Sequence, residues 1–249
     1  MSPEEFRRAA HEVVDWMADY LRDIRDYPVL PKVEPGALID RLPASLPEKG
    51  EPMEAILEDF RKLIMPGITH WNHPSFHAYF SISASGPGIL GEMIASTLNV
   101  QHMLWKTSPA ATELEQVTLG WLREWMGLPT EFFGMIHDTA STSSLHAILA
   151  AREAASPETR LTGQHPRMIL YTSEHSHSSI ERDALALGIG RENIRLVASD
   201  AEYRMRPDAL EALIKEDLAA GKKPFCVVAT LGTTSSSSVD PVPAIAAIA

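Results

Sequence analysis

Apolar residues early in the chain recur at helical spacing. Phe6, Ala10, Val13, Met17, Leu21 and Ile24 fall three or four residues apart, which draws one stripe on a long amphipathic helix. Ser2-Pro3-Glu4-Glu5 reads as its capping box, with Pro3 at the first helical position. Pro28, Pro31 and Pro35 end that helix and predict an extended joint. A second helix is predicted from about Pro52, with Ile56, Leu57, Phe60, Leu63 and Ile64 on one face. It stops at Met65-Pro66-Gly67. These helices have little local means of closing a core. Two readings stand: a bundle packed on the following domain, or an arm packed on a second subunit.

The texture changes after residue 85, and the chain divides there into segments 1–84 and 85–249. Gly86, Gly88 and Gly91 sit among apolar residues, and helices are predicted through Thr97 and from Ala110 to Met126. From Gly134 onward helices and strands alternate. Helices are predicted over Ser141–Ala155, Ser178–Leu187, Pro207–Ala220 and from Pro243. Strands are predicted over Met168–Tyr171, Ile194–Val197 and Phe225–Thr230. Strands separated by helices imply an α/β fold, a parallel sheet covered on both faces. The last residues, Ala244 to Ala249, read as a helix opening after a strand. A further strand is expected to follow, so the chain reads as part of a longer protein.

Composition narrows the function classes. Apolar residues make up 45% and charged residues 22%, as a globular core requires. The net charge of −11 opposes a phosphate backbone, which disfavours nucleic-acid partners. Charges interrupt every apolar run, so no membrane span is expected. Cys226 is the one cysteine, which excludes an intrachain disulfide and fits a reduced, cytoplasmic setting.

Candidate chemistry collects after the predicted strands. Thr139-Ala140-Ser141 and the hydroxyl residues after them crowd a helix start, where free N–H groups and the positive dipole end can cradle a phosphate. The same residues also suit an ordinary N-cap. His175-Ser176-His177 follows a strand, where a flat imidazole can stack on an aromatic ligand or move a proton. A helix cap with an incidental histidine is the other reading. Thr233-Thr234 follows the third strand. His70, His73 and His77 tempt a metal reading, but Pro74 breaks any helix that would align them, and no carboxylate or cysteine sits nearby in sequence. No metal site is expected, and an aromatic-rich loop lining a pocket fits better. Gly-x-Ser-x-Gly, Walker A and Rossmann fingerprints are absent.

Taken together, these residues resemble the group II pyridoxal-phosphate-dependent amino-acid decarboxylases, most of all the aromatic-L-amino-acid (dopa, tyrosine, tryptophan) type. The resemblance rests on Met65–Phe80 (MPGITHWNHPSFHAYF), Ser108–Glu115 (SPAATELE), Thr139–Ser141 with Leu149–Arg152, His175–Arg182 (HSHSSIER) and Val228–Thr234 (VATLGTT). Glu5–Arg8 and Val33–Gly36 also fit, so the likeness runs along essentially the whole chain in order.

The resemblance implies a fold-type I, PLP-dependent transferase-like large domain, its incomplete first part spanning 85–249, preceded by a helical dimerisation arm over 1–84. It implies decarboxylation of an L-amino acid, aromatic in class by the same likeness, to the amine plus CO2, by a homodimer using pyridoxal 5'-phosphate. Thr139, Ala140 and Ser141 would hold the phosphate. His177 would cover the ring and serve catalysis, and Thr234 would lie beside the cofactor. Trp71, Phe80, Ile82, Gln101 and Met103 would line the substrate pocket. The cofactor-binding lysine and the aspartate on the pyridine nitrogen would fall beyond Ala249, since none of Lys32, Lys49, Lys62, Lys106, Lys215, Lys222 and Lys223 has a matching context. Departures fall at Ile82, where dopa decarboxylases carry threonine, at Gln101–Met103, and at Asp138, where a glycine is expected. Alternatives are a non-catalytic dimerising remnant, a related group II decarboxylase acting on histidine or another amino acid, and an aldehyde synthase.

Overall fold

Two residues close the first helix. Ser2 Oγ accepts the Glu5 N–H, and the Glu5 carboxylate accepts the Ser2 N–H at 2.6 Å, so α1 spans Pro3–Arg22. The computed structural model describes residues 1–79, 82, 84–163 and 167–249, which form two compact units, Met1–Ile89 and Leu90–Ala249.

In the first unit, α2 spans Met53–Asp59 and passes into a π-type turn over Phe60–Ile64 and a 3-10 turn over Met65–Gly67. The single helix expected here therefore changes pitch partway, and Pro66, which lacks an N–H, lies in the final turn. Trp16 of α1 meets Phe60 edge-on at 5.0 Å, and Arg61 pairs with Glu12 at 2.9 Å. Tyr20 OH lies 2.8 Å from His70 Nδ1, and the His70 N–H donates to Val29 O. Burial holds the His70 imidazole below its usual pKa. No residue of α1 is buried, and Phe6 remains 59% exposed. Ile24, counted on the helical stripe, instead lies in a 3-10 turn after the helix, where it is buried.

Helix α3 (Gly86–Leu98) begins in the first unit and runs into the second. The second unit continues with α4 (Pro109–Trp125), α5 (Ala140–Ala155) and a short α6 (Thr159–Thr162) not anticipated from sequence. Then come β1 (Met168–Ser173), α7 (Ser179–Ala186), β2 (Ile194–Val197), α8 (Pro207–Ala219), β3 (Lys223–Val228) and α9 (Val242–Ile248). The sheet has the order β2-β1-β3, with both pairings parallel.

All six β1 residues are buried. Ile169 and Tyr171 pack with Leu210 of α8 and Ile245 of α9, whereas Leu170 packs with Ile148 of α5 and Ile180 and Ala184 of α7. The sheet is therefore covered on both faces, as its unbroken apolar strand predicts. Strand β3 begins two residues earlier than expected, because the Lys223 N–H donates to Arg167 O. It ends before Thr230, whose N–H is taken by Asp240. Pro224 offers no N–H, and the register slips beside it, so Phe225 and Cys226 pack toward the same face.

A buried polar knot pins α8 to the sheet. Asp217 accepts bonds from Tyr171 OH at 2.9 Å, from Arg195 Nε and Nη2 at 2.9 and 2.8 Å, and from Lys222 Nζ at 2.9 Å. Burial alone would raise this carboxyl, but those donors bring it down to about 2. Its stabilisation is thus present above the ordinary aspartate pKa of about 3.9 and is lost as pH falls through about 2. Asp217→Asn is expected to cost about 3 kcal/mol near neutral pH by stranding Arg195 and Lys222. The deficit should shrink as wild type is acidified through that window. Urea denaturation across pH measures both, and equal midpoints near neutrality would contradict the assignment.

Candidate functional site

The connections after β1 and β3 leave the sheet on opposite sides. The segment after β1 enters α7, on the Leu170 face, while the segment after β3 enters α9, on the Tyr171 face. Adjacent parallel strands whose connections diverge open a crevice at their carboxyl ends, where open α/β sheets bind ligands.

Hydroxyl groups close the floor of that crevice. The Thr172 hydroxyl donates to Ser176 Oγ at 2.7 Å, and Ser176 Oγ lies 3.4 Å from Thr230 Oγ1. Next to Ser176 stands His177, exposed at the mouth of α7. The Ser179 N–H donates to His177 Nδ1 at 3.3 Å, with Ser179 Oγ 3.0 Å from the same nitrogen. A backbone N–H can only donate, so Nδ1 accepts and the ring proton of the neutral imidazole sits on Nε2. The ring is therefore fixed along one edge, with Nε2 as its available donor.

The start of α5 reaches the same edge. Lys223, at the amino end of β3, donates to Ala155 O at the last turn of α5. The 16 residues of α5 then run about 24 Å toward the carboxyl side, somewhat further than a six-residue strand of about 20 Å. Arg152 Nη1 donates to Leu187 O at 2.8 Å, which aligns the ends of α5 and α7 so that both helices begin on the carboxyl side. Thr139 is extended and caps α5, its hydroxyl accepting the Thr142 N–H at 3.1 Å. Thr139 and Ala140 are exposed and Ser141 is half-buried. The amides of a first helical turn lack intrahelical acceptors, and small side chains here leave them open to an anion.

This helix start also holds a carboxylate. The Thr142 hydroxyl and the Thr139 N–H draw the Asp138 carboxyl below its usual range. Beside it His137 and His146 stack at 4.4 Å, and His146 Nδ1 lies 2.8 Å from Thr142 O.

The third connection folds on itself. The N–H groups of Gly232 and Thr233 both donate to Ser238 O, and Leu231 bridges Val239. Thr233 is buried, with Oγ1 accepting the Ser238 N–H at 3.0 Å, and half-buried Thr234 sits at the tip. His177 and Thr234 thus belong to connections at the carboxyl edge of one sheet, and Thr139–Ser141 open a helix packed on that sheet.

The expected pocket residues are divided between the units. In the first, Trp71 stacks on Phe76 at 4.6 Å, and Ile82 is 82% exposed. In the second, Gln101 and Met103 stand exposed between α3 and α4. Phe80 lies outside the described residues. His70 is committed to Tyr20, and His73 Nδ1 accepts the Ser75 N–H. Sequence reasoning gave no role to Ser176 and Thr230, although both lie within the quoted segments, and it missed Asp240, which lies in none of them. The one signal was their position just after or between strand ends.

Residues 35–249 match the model of the pyridoxal-dependent decarboxylase conserved domain. Tryptophan decarboxylase 2 of Oryza sativa subsp. japonica is 39% identical, over 100% of this chain and 52% of that relative. Phenylacetaldehyde synthase of Arabidopsis thaliana is likewise 39% identical, with the same coverage of each. The crystal structure of Oryza sativa TDC with PLP and tryptamine superposes with a TM-score of 0.93 at 36% identity, covering 100% of this chain and 53% of that one. The chain therefore spans about half the length of the relatives it matches. A parallel sheet with helices on both faces agrees with this match: the chain belongs to the pyridoxal-dependent decarboxylase family.

Proposed function

We propose that the chain carries the phosphate cradle and the ring-covering histidine of an enzyme that decarboxylates an aromatic L-amino acid to its amine and CO2. The observation that carries this reading is the gathering of the α5 start, His177 and the Thr234 loop at one sheet edge. When bound, pyridoxal 5'-phosphate supplies an electron sink for the charge left at the α-carbon as CO2 departs. The open amides of Ala140 and Ser141, with the Ser141 hydroxyl, bind its phosphate at the dipole end of α5. His177, fixed through Nδ1, would cover the cofactor's ring and would offer Nε2–H as a proton donor. Thr234 borders the cofactor from the opposite connection. Trp71, Phe80, Ile82, Gln101 and Met103 are assigned to the substrate pocket.

The enzyme works as a homodimer in this reading, with the arm of residues 1–84 clasping a second subunit. The exposure of Phe6, Val14 and Leu21 on α1 supports it. Cys226, unpaired, with burial pushing its thiol up to about 11, fits a reducing, cytoplasmic setting. Among the described residues no helix is long and apolar enough to cross a membrane.

The lysine that anchors the cofactor is proposed to lie outside these residues. Lys222 and Lys223 are bound at the amino end of β3, while Lys62 and Lys215 pair with Glu58 and Glu211 on their own helices. Borohydride reduction with PLP followed by peptide mapping is therefore expected to find no stoichiometrically labelled lysine in the 249 residues, and a single labelled site would refute the placement.

Ala140→Asp separates cofactor binding from stability. A carboxylate in the first turn favours the helix but repels a phosphate there. PLP affinity, followed by tryptophan quenching, is expected to drop about tenfold or more, roughly 1.4 kcal/mol, without a lower Tm. Unchanged affinity would remove the phosphate from this helix start. Product analysis of the full-length enzyme with L-tryptophan, L-tyrosine and L-dopa is expected to give amine and CO2. Aldehyde as the main product would favour the synthase alternative, which the similarity to phenylacetaldehyde synthase supports.

A further inference from the structure

Two buried aspartates of the second unit are held in different ways. Asp217 is surrounded by an arginine, a lysine and a tyrosine. Asp240, only 2% exposed, is held by backbone alone. Its Oδ1 accepts the Met205 N–H at 2.7 Å and its Oδ2 accepts the Thr230 N–H at 2.8 Å. Its own N–H donates to Thr230 O at 2.9 Å.

Those partners belong to different connections. Met205 sits between β2 and α8, Thr230 lies just past β3, and Asp240 lies just ahead of α9. Thr230 also extends the network, because its hydroxyl is 3.4 Å from Ser176, the residue before His177. One carboxylate therefore ties the β2–α8 connection to the β3–α9 connection and, through a single hydroxyl contact, to the segment between β1 and α7. It also closes the base of the loop that carries Thr233 and Thr234, whose upper rungs are the bonds to Ser238 O.

The residue type follows from the donors. Each oxygen faces a backbone N–H, so both sides of the group must accept. Asparagine would turn an NH2 toward one of those N–H groups, and a shorter side chain would reach neither. We propose that Asp240 is a positioning residue. It holds the Thr234 loop and the His177 segment in fixed relation across the crevice, so that ring and cofactor border meet a ligand together. This inference rests on the reading that the carboxyl edge holds the cofactor.

The test is Asp240→Asn in the intact protein, with two readouts. The first needs no ligand. Hydrogen exchange measured by mass spectrometry should rise in 229–241 and also in 174–179, while β1, β2 and the middle of α8 keep their protection. The second is PLP titration, in which affinity should fall at least tenfold and the visible circular dichroism of the bound cofactor should weaken. Thr230→Val keeps the backbone bonds to Asp240 and removes only the hydroxyl to Ser176. It should raise exchange in 174–179 and leave 230–240 protected. Unchanged exchange in 174–179, or a wild-type cofactor signal in Asp240→Asn, would overturn the proposal. Should Asp240→Asn not fold, an unaltered 174–179 segment and cofactor signal in Thr230→Val would overturn it equally. Failure of the wild type to bind PLP would instead sink the cofactor reading, while the exchange measurements would still decide the coupling.

Discussion

Everything at the candidate site depends on one strand being buried on both faces. Because β1 has apolar residues toward each side, it can occupy only the middle of a covered parallel sheet. Parallel strands deliver all their exits to one edge, and neighbours with helices on opposite faces part there. The crevice is thus a consequence of core packing. Function enters through what the short connections place around it.

Those connections solve a polar problem. Each leaves backbone groups without ladder partners, and burying them unpaired would cost more than the net gain from a typical hydrogen bond. Here side chains supply the missing partners. Asp240 accepts the Met205 and Thr230 amides, and the Thr233 hydroxyl accepts the Ser238 amide and braces the last loop. At the start of α5 the Thr139 hydroxyl takes the Thr142 N–H, while the Ala140 and Ser141 amides lie in the first turn, where no intrahelical acceptor reaches them. Asp138 sits beside them with its own charge, so the chain sets a carboxylate close to where a phosphate is proposed to lie. Cofactor binding here must outweigh that local repulsion.

How much of this was legible in the sequence follows from the range of each interaction. The capping box of α1 and the strands Met168–Tyr171 and Ile194–Val197 are written locally, in spacing and in apolar runs, and they form where expected. The π-type turn at Phe60–Ile64 has no local signature. Nor does the early start of β3, which depends on a bond from Lys223 to the distant Arg167. Ile24 fits the helical stripe, yet the helix stops before it. The places of Thr139–Ser141 at a helix start and of His177 and Thr234 after strands could be read, because each is set by an adjacent predicted element. Asp240 could not, since its donors lie 35 and 10 residues away and only the folded sheet brings them together.

The central claim is that the cofactor's phosphate rests on the α5 start while His177 faces its ring. Amide and imidazole resonances observed during a PLP titration test it most directly. The account predicts large shifts of the Ala140 and Ser141 amides together with ring-current shifts at His177, all saturating at one cofactor concentration. Shifts confined to residues away from α5 and His177, or movement of one group without the other, would contradict it.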